Sequence, residues 1–200
     1  MDPKDLFNFT SIKTSEFATI KIDKFPLPLK PEDLPNQHYV TGGSGYDTLW
    51  RTVCADSFFT KGRSVAGLDG RAMFRRANGD DLHAIQAWRR WMARNKTAGA
   101  HKAPTLKEFS SPEEHEMVLK ADQAIRSAGL QHRFFKTTNG YMGLAASGTT
   151  GSDEIYVLLR GRTPYALRPI GDIGVEGLGE RRLYAIVGGA YVHGIMMESW

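Results

Sequence analysis

Apolar residues recur along this chain with two different periods, and the change from one to the other near residue 130 divides it. Leu49, Trp50, Val53 and Cys54 fall at helical spacing and predict a helix from Tyr46 or Asp47 to about Phe58. Leu82, Ile85, Trp88 and Met92 predict a second, from Asp80 to Asn95. Asp80 and Asp81 at its start, and Arg94 and Lys96 at its end, suit the helix dipole. The third has the best-marked start. Ser111 stands at the N-cap, Pro112 at the first helical position and Glu114 at the third, the pattern of a capping box. Met117, Val118, Ala121, Ile125 and Ala128 form its apolar stripe, and Gly129 is expected to close it in the left-handed conformation.

From Arg133 onward the apolar residues come in short bursts separated by Gly, Asn, Thr, Ser and Pro, which predicts strands and tight turns. Asn139-Gly140 predicts a two-residue hairpin turn with positive φ at both positions. Glu154 to Leu159 and Pro164 to Arg168 predict a second hairpin, turning at Gly161 to Thr163. Arg182 to Val187 and Ala190 to His193 add two strands around Gly188-Gly189, where a bulge or tight turn is expected. The fold class is therefore α+β: about three helices followed by a small curved antiparallel β-sheet or barrel.

The remaining stretches read as connections. Thr19 to Phe25 alternates like one strand, Pro26, Pro28, Pro31 and Pro35 then favour an extended path, and Gly42-Gly43-Ser44-Gly45 reads as a flexible joint. Residues 59–79 and 97–109 read as loops. The domain plan is an extended Pro-rich segment and linker over 1–45, a helical region over 46–129 and a strand-rich region over 130–200.

The strand-rich region carries a resemblance. Arg133-Phe134-Phe135 with Gly140-Tyr141-Met142-Gly143 starts the pattern, and Asp153 with Ile155-Tyr156-Val157-Leu158-Leu159 continues it. Pro164-Tyr165-Ala166-Leu167-Arg168-Pro169 and the block from Leu183 to Met196 complete it. Together they resemble the carboxy-terminal part of fungal heterokaryon-incompatibility (HET) proteins. Tyr46 to Thr52 is similar to the helix that opens the same region there, and the resemblance covers about three quarters of the chain. Tyr191-Val192-His193-Gly194-Ile195-Met196 is its most specific piece. The SYxWG-like and WxDxxCINQ-like segments of the amino-terminal half of such proteins are absent from the 200 residues. Gly189 stands where an acidic residue is frequent, and Met196 to Trp200 lacks the acidic ending of the family pattern. These departures leave open a truncated paralogue, a mis-called gene model or a fragment that needs a partner. The resemblance implies a part in self/non-self recognition and regulated cell death. The TIR-like half, where nucleotide-linked activity would be expected, is the half not seen. Arg133, Phe134, Phe135, Gly140, Gly143, Asp153, Pro164, Arg168, Tyr191, His193 and Gly194 match the family pattern, and a structural role is expected for each.

Composition narrows the partners. With 41% hydrophobic residues the chain can bury a core, and one cysteine excludes a disulfide framework, in keeping with a reducing cytoplasm. No apolar run approaches the roughly 20 residues of a membrane span, and the opening residues do not read as a signal peptide. The formal net charge is +4, with the basic excess between residues 46 and 110. Arg71, Arg75, Arg76, Arg89, Arg90 and Arg94 could contact phosphates, with Trp88 and Trp91 as stacking platforms. A solvated helix face over two core tryptophans is the expectation instead.

Catalytic, cofactor and metal sites are all expected to be absent. His193 with Asp153 and Ser152 would supply the side chains of a hydrolase triad, but no GxSxG elbow accompanies them. The histidines lack the spacing of metal ligands, and the Gly-rich stretch from 171 to 179 lacks the context of a phosphate cradle. Cys54 reads as a buried residue on its helix rather than a nucleophile. The leading expectation is a non-catalytic module that meets a protein partner or itself. A hydrolase or transferase near His193 and Asp153 is the alternative, and a basic nucleic-acid binder the second.

Overall fold

The computed structural model describes residues 10–18, 38–59, 74–95, 103–158, 163–175 and 179–195. In chain order the elements are β1 (Thr10–Ala18), α1 (Gly45–Val53), β2 (Ser57–Phe59), β3 (Phe74–Arg76), α2 (Asp81–Arg94), α3 (Pro112–Gly129), β4 (His132–Thr137), β5 (Met142–Ala146), β6 (Glu154–Val157), β7 (Pro164–Val175) and β8 (Gly179–Val192). Six strands close an antiparallel barrel in the order β1-β4-β5-β8-β7-β6, and β2 and β3 form a separate two-stranded sheet.

The three helices stand where the apolar spacing puts them, with physical reasons for their ends. Ser44, read in sequence as part of a flexible joint, caps α1: its side chain accepts from the Asp47 amide. Gly42 and Gly43 precede it with φ of 96° and 81°, so the joint is a fixed turn. The helix stops at Val53 rather than near Phe58, because Ala55 and Asp56 take left-handed φ of 50° and 52°. Ser57–Phe59 then leaves as a strand paired with Phe74–Arg76. In α3 the Ser111 hydroxyl accepts from the Glu114 amide at 3.2 Å, while the Glu114 carboxylate turns to the Ser110 amide rather than to Ser111. Gly129 remains helical, and the left-handed residue is Gln131, with φ of 66°.

The hairpin between β4 and β5 also differs from expectation. Gly140 alone has positive φ, 87°, and its amide bonds the Thr137 carbonyl while the Thr137 amide bonds Tyr141. That is a three-residue loop ending in a left-handed glycine, the second commonest solution for joining twisted strands. Gly188 and Gly189 lie inside one continuous β8. There the register jumps from Ala166↔Gly188 to Leu167↔Ile186, a bulge rather than a break between two strands.

Alternation along β4 separates two cores. Phe134 joins Leu49, Trp50, Trp88, Val118 and Ile125 in the core between the helices and the barrel wall. Phe135 points the other way and fills the barrel with Ala145, Ile155, Ala166, Ala190 and Val192. Gly143 lies under it: a Cβ there would collide with the Phe135 ring and the Tyr191 carbonyl. Among the described side chains, Phe135 with three alanines, Ile155 and Val192 thus fill the barrel, the tight packing that a ring of six strands requires.

The strand β1 lies ahead of the helices, within the span read as a linker. Thr10–Lys13 pairs with β6 and Thr14–Ala18 with β4. The strand expected over Thr19 to Phe25, the prolines after it, most of the 59–79 loop including Arg71, and the turn from Gly161 all lie outside the described residues.

Candidate functional site

His193 follows the end of β8, and its amide bonds the Met142 carbonyl at 3.0 Å. Its Nδ1 meets the Tyr191 hydroxyl at 2.7 Å. Tyr39, from the turn before α1, donates its hydroxyl to the His193 carbonyl at 3.0 Å and accepts the Met142 amide at 2.9 Å. Gly194 has φ of 84°, and any Cβ there would strike Thr41. Burial lowers the His193 pKa, against a nearby Asp56 that raises it and with Arg51 assisting the fall. Burial likewise pushes Tyr39 up to about 12 and raises Tyr191 well above the usual phenol range. In all three groups burial favours the neutral form. This is a clamp between residues 38–44 and the barrel end.

Asp153 is buried at the start of β6. Arg168 approaches it with Nε at 2.8 Å and a terminal nitrogen at 2.9 Å, and the Thr150 amide donates at 2.8 Å. Burial alone would raise this carboxyl, but the Arg168 bonds and the Thr150 amide outweigh it and the pKa falls. Arg168 also donates to the Gly148 carbonyl, beyond the far end of β5. His193 holds the near end of β5 at Met142, so the strand from Met142 to Ala146, about 13 Å long, separates it from the Arg168–Asp153 pair. Ser152 bonds Thr150 at 2.9 Å on the exposed side of its turn. His193, Asp153 and Ser152 are not brought together as a triad.

The other positions matching the family pattern have packing neighbours. A terminal nitrogen of Arg133 donates to the Thr149 carbonyl, Phe134 and Phe135 face the two cores, and Pro164 opens β7 opposite Val157. Cys54 is buried, and burial lifts its thiol to about 12, far from a nucleophile's range. Among the described residues no group of three or more His, Cys, Asp or Glu is placed to hold a metal. No helix among them is long and apolar enough to cross a membrane.

Of the arginines in the basic middle of the chain, Arg75, Arg76 and Arg94 are drawn into pairs, while Arg89 lies against Tyr46 and Arg90 is exposed. Arg75 grips the buried Asp81 through two bonds of 2.6 and 2.7 Å, Arg76 bonds Asp56, and Arg94 bonds Glu114. Trp88 and Trp91 are buried, their indole N–H groups donating to Asp122 and Glu108. Neither ring is available for stacking. An open cleft of about 780 Å³ beside α3 is lined by Phe59, Arg75, Leu119 and Lys120. Arg75 and Lys120 there already face Asp81.

The feature that sequence reasoning missed is the far half of β7 and β8. Strand β6 reaches only Leu167 on β7, and β5 reaches only Ala190 on β8. Arg168–Val175 and Gly179–Ala185 therefore leave the barrel as a two-stranded ribbon. Ile173, Val175 and Leu183 share one face of it with Arg181, which stands opposite Ile173, and Gly171 opposite Leu183 leaves that side chain uncovered. The other face is polar, with Asp172 and Arg182 paired at 3.4 Å beside Glu180. Ile170 and Ile186 stand at the ribbon's base, 62% and 70% exposed. The alternation of apolar and polar residues was present in Ile173-Gly174-Val175 and Arg182-Leu183-Tyr184. In sequence the glycines of 171–179 interrupt that alternation and mask it.

A model of the Het-6 beta-barrel domain family matches residues 30–199. No curated protein and no solved structure matches the chain.

Proposed function

Because the chain belongs to the Het-6 beta-barrel domain family, we propose that it serves a HET-related role by protein contact and not by catalysis. The β7–β8 ribbon is the contact surface in this reading. One observation carries it: the ribbon projects Ile173, Val175 and Leu183 around Arg181 on one face, with no layer of the described structure beneath them. Antiparallel sheets alternate apolar and polar faces when one face is to be covered. Contiguous exposed apolar side chains mark interaction surfaces. The ribbon's two outer edges also offer main-chain N–H and C=O groups to an added strand. The partner is a protein that buries the apolar face, in the cytoplasm, and its binding contributes to self/non-self recognition and the death response that follows.

The filled barrel supports the same reading, since Phe135 and its apolar neighbours occupy the space where a barrel of more strands holds a ligand. The test is a comparison of the tagged full chain with its Ile173→Lys/Leu183→Lys variant in hyphae of a filamentous fungus. Both proteins should show the same circular dichroism and melting. Proteins retained by the first should be lost from the second, and equal retention would sink the assignment to the ribbon.

A further inference from the structure

The barrel strands β4 to β8 all come from within the matched family region, residues 30–199, but the strand that closes the ring does not. β1 comes from Thr10–Ala18. Strands β4 and β6 are joined only through it: its first half pairs with β6, from Thr10↔Val157 to Lys13↔Glu154. Its second half pairs with β4, from Thr14↔Thr137 to Ala18↔Phe134. Without β1 the ring would have a slot bordered by two open strand edges, the template that accepts an extended chain. In register, Ile12 stands opposite Ile155 and Phe17 opposite Phe135, two residues of the barrel's own core. Only Ile12 and Phe17 are large and apolar in TSIKTSEFA, so main-chain pairing with β4 and β6 is the chief feature that defines the strand's place.

We infer that the β4–β6 slot is a strand-acceptor site, and that its occupant in trans is β1 of a second copy of this chain. The length of chain on the page makes the exchange possible. Nineteen residues, 19–37, separate β1 from the turn that Tyr39 clamps to the barrel. Fully extended they reach roughly 65 Å, whereas a chain of this size folds to a radius of gyration of only about 16 Å. That reach exceeds the size of the folded chain, so β1 can enter the slot of a neighbour once a second copy is concentrated enough to compete with its own. Two copies exchanging β1 reciprocally remake every main-chain pairing of the monomer, so mass action alone sets the balance between the two forms. The inference rests on β1 and its slot, and not on the β7–β8 ribbon.

The test uses the full chain in two single variants, Lys13→Cys and Glu154→Cys, whose positions face each other across β1 and β6. The native Cys54 is buried and does not compete. The two variants are mixed, unfolded and refolded together over a range of concentrations, oxidised mildly and resolved without reductant. A disulfide-linked dimer is expected in the mixture, increasing with concentration, and absent from either variant alone. The double variant Lys13→Cys/Glu154→Cys gives an intrachain link at low concentration. A second pair, Glu16→Cys with Lys136→Cys, repeats the test at the β4 border. An intrachain link in the double variants with no dimer in the mixtures would show that β1 stays in its own barrel, overturning the exchange. No link at either border would remove β1 from the slot and overturn it as well.

Discussion

The Tyr39 hydroxyl bridges His193 and the start of β5, donating to the His193 carbonyl at 3.0 Å while accepting the Met142 amide at 2.9 Å. One side chain from the turn before α1 thus satisfies two backbone groups at the barrel end. In Tyr39→Phe both groups lose their partner in a buried setting, a loss of about 2 to 3 kcal/mol. Urea denaturation would measure it. A loss below about 0.5 kcal/mol, the scatter of neutral surface substitutions, would mean that the clamp does not hold the turn.

His193 gives the clamp a pH dependence. Its folded pKa lies below the ordinary value because burial disfavours the imidazolium. Its contribution is therefore complete above the unfolded value of about 6.5 and declines as pH falls from there toward the lowered folded pKa. Asp81 and Asp153, whose carboxyls are lowered, lose their contributions only below the ordinary carboxylate range. The melting temperature should fall between pH 6.5 and 5 in the native chain, and the fall should be smaller in His193→Gln. Equal slopes would exclude His193 as the group responsible.

Asp81 is 2% exposed and depends on Arg75. Arg75→Met leaves the carboxylate with the Asn78 amide at 2.9 Å and Lys120 at 3.8 Å. Breaking a buried pair costs about 3 to 5 kcal/mol. Partial exposure of Arg75 reduces that to about 2 kcal/mol, to be read from denaturation midpoints at pH 7. An unchanged midpoint would contradict the pairing.

Gly143 and Gly174 make a matched test of the barrel interior. Gly143→Ala drives a methyl into Phe135 and the Tyr191 carbonyl, and should cost about 3 kcal/mol or abolish folding. Gly174→Ala, on the ribbon, meets nothing within 4 Å and should change stability little. Thermal melting compares the two, and equal effects would mean that the barrel relaxes around Phe135.

The helices were legible because each buries one face, and burial imposes a 3.6-residue period that Leu49, Val53, Ile85, Val118 and Ile125 record directly. The α+β class followed from the change of period after Gly129. The site was less legible. His193 and Asp153 are both buried and polar, and nothing in their types says that one end of β5 holds the first and the other end the second. Tyr39 escaped notice because its partners are backbone groups 103 and 154 residues away. β1 was not anticipated because TSIKTSEFA has few apolar positions: its place is set by pairing with β4 and β6, which sequence does not display. The ribbon's glycines, at 171, 174 and 179, resemble turn residues although they sit within paired strands.

The most direct test of function by ribbon contact is site-specific photo-crosslinking of the full chain in fungal cells. The reactive group replaces Ile173 in one protein and Met117, 37% exposed on α3, in another. Discrete adducts with a protein partner from position 173, and none from 117, are the predicted result. The same adducts from both positions, or none from 173 while the chain is folded and expressed, would contradict it.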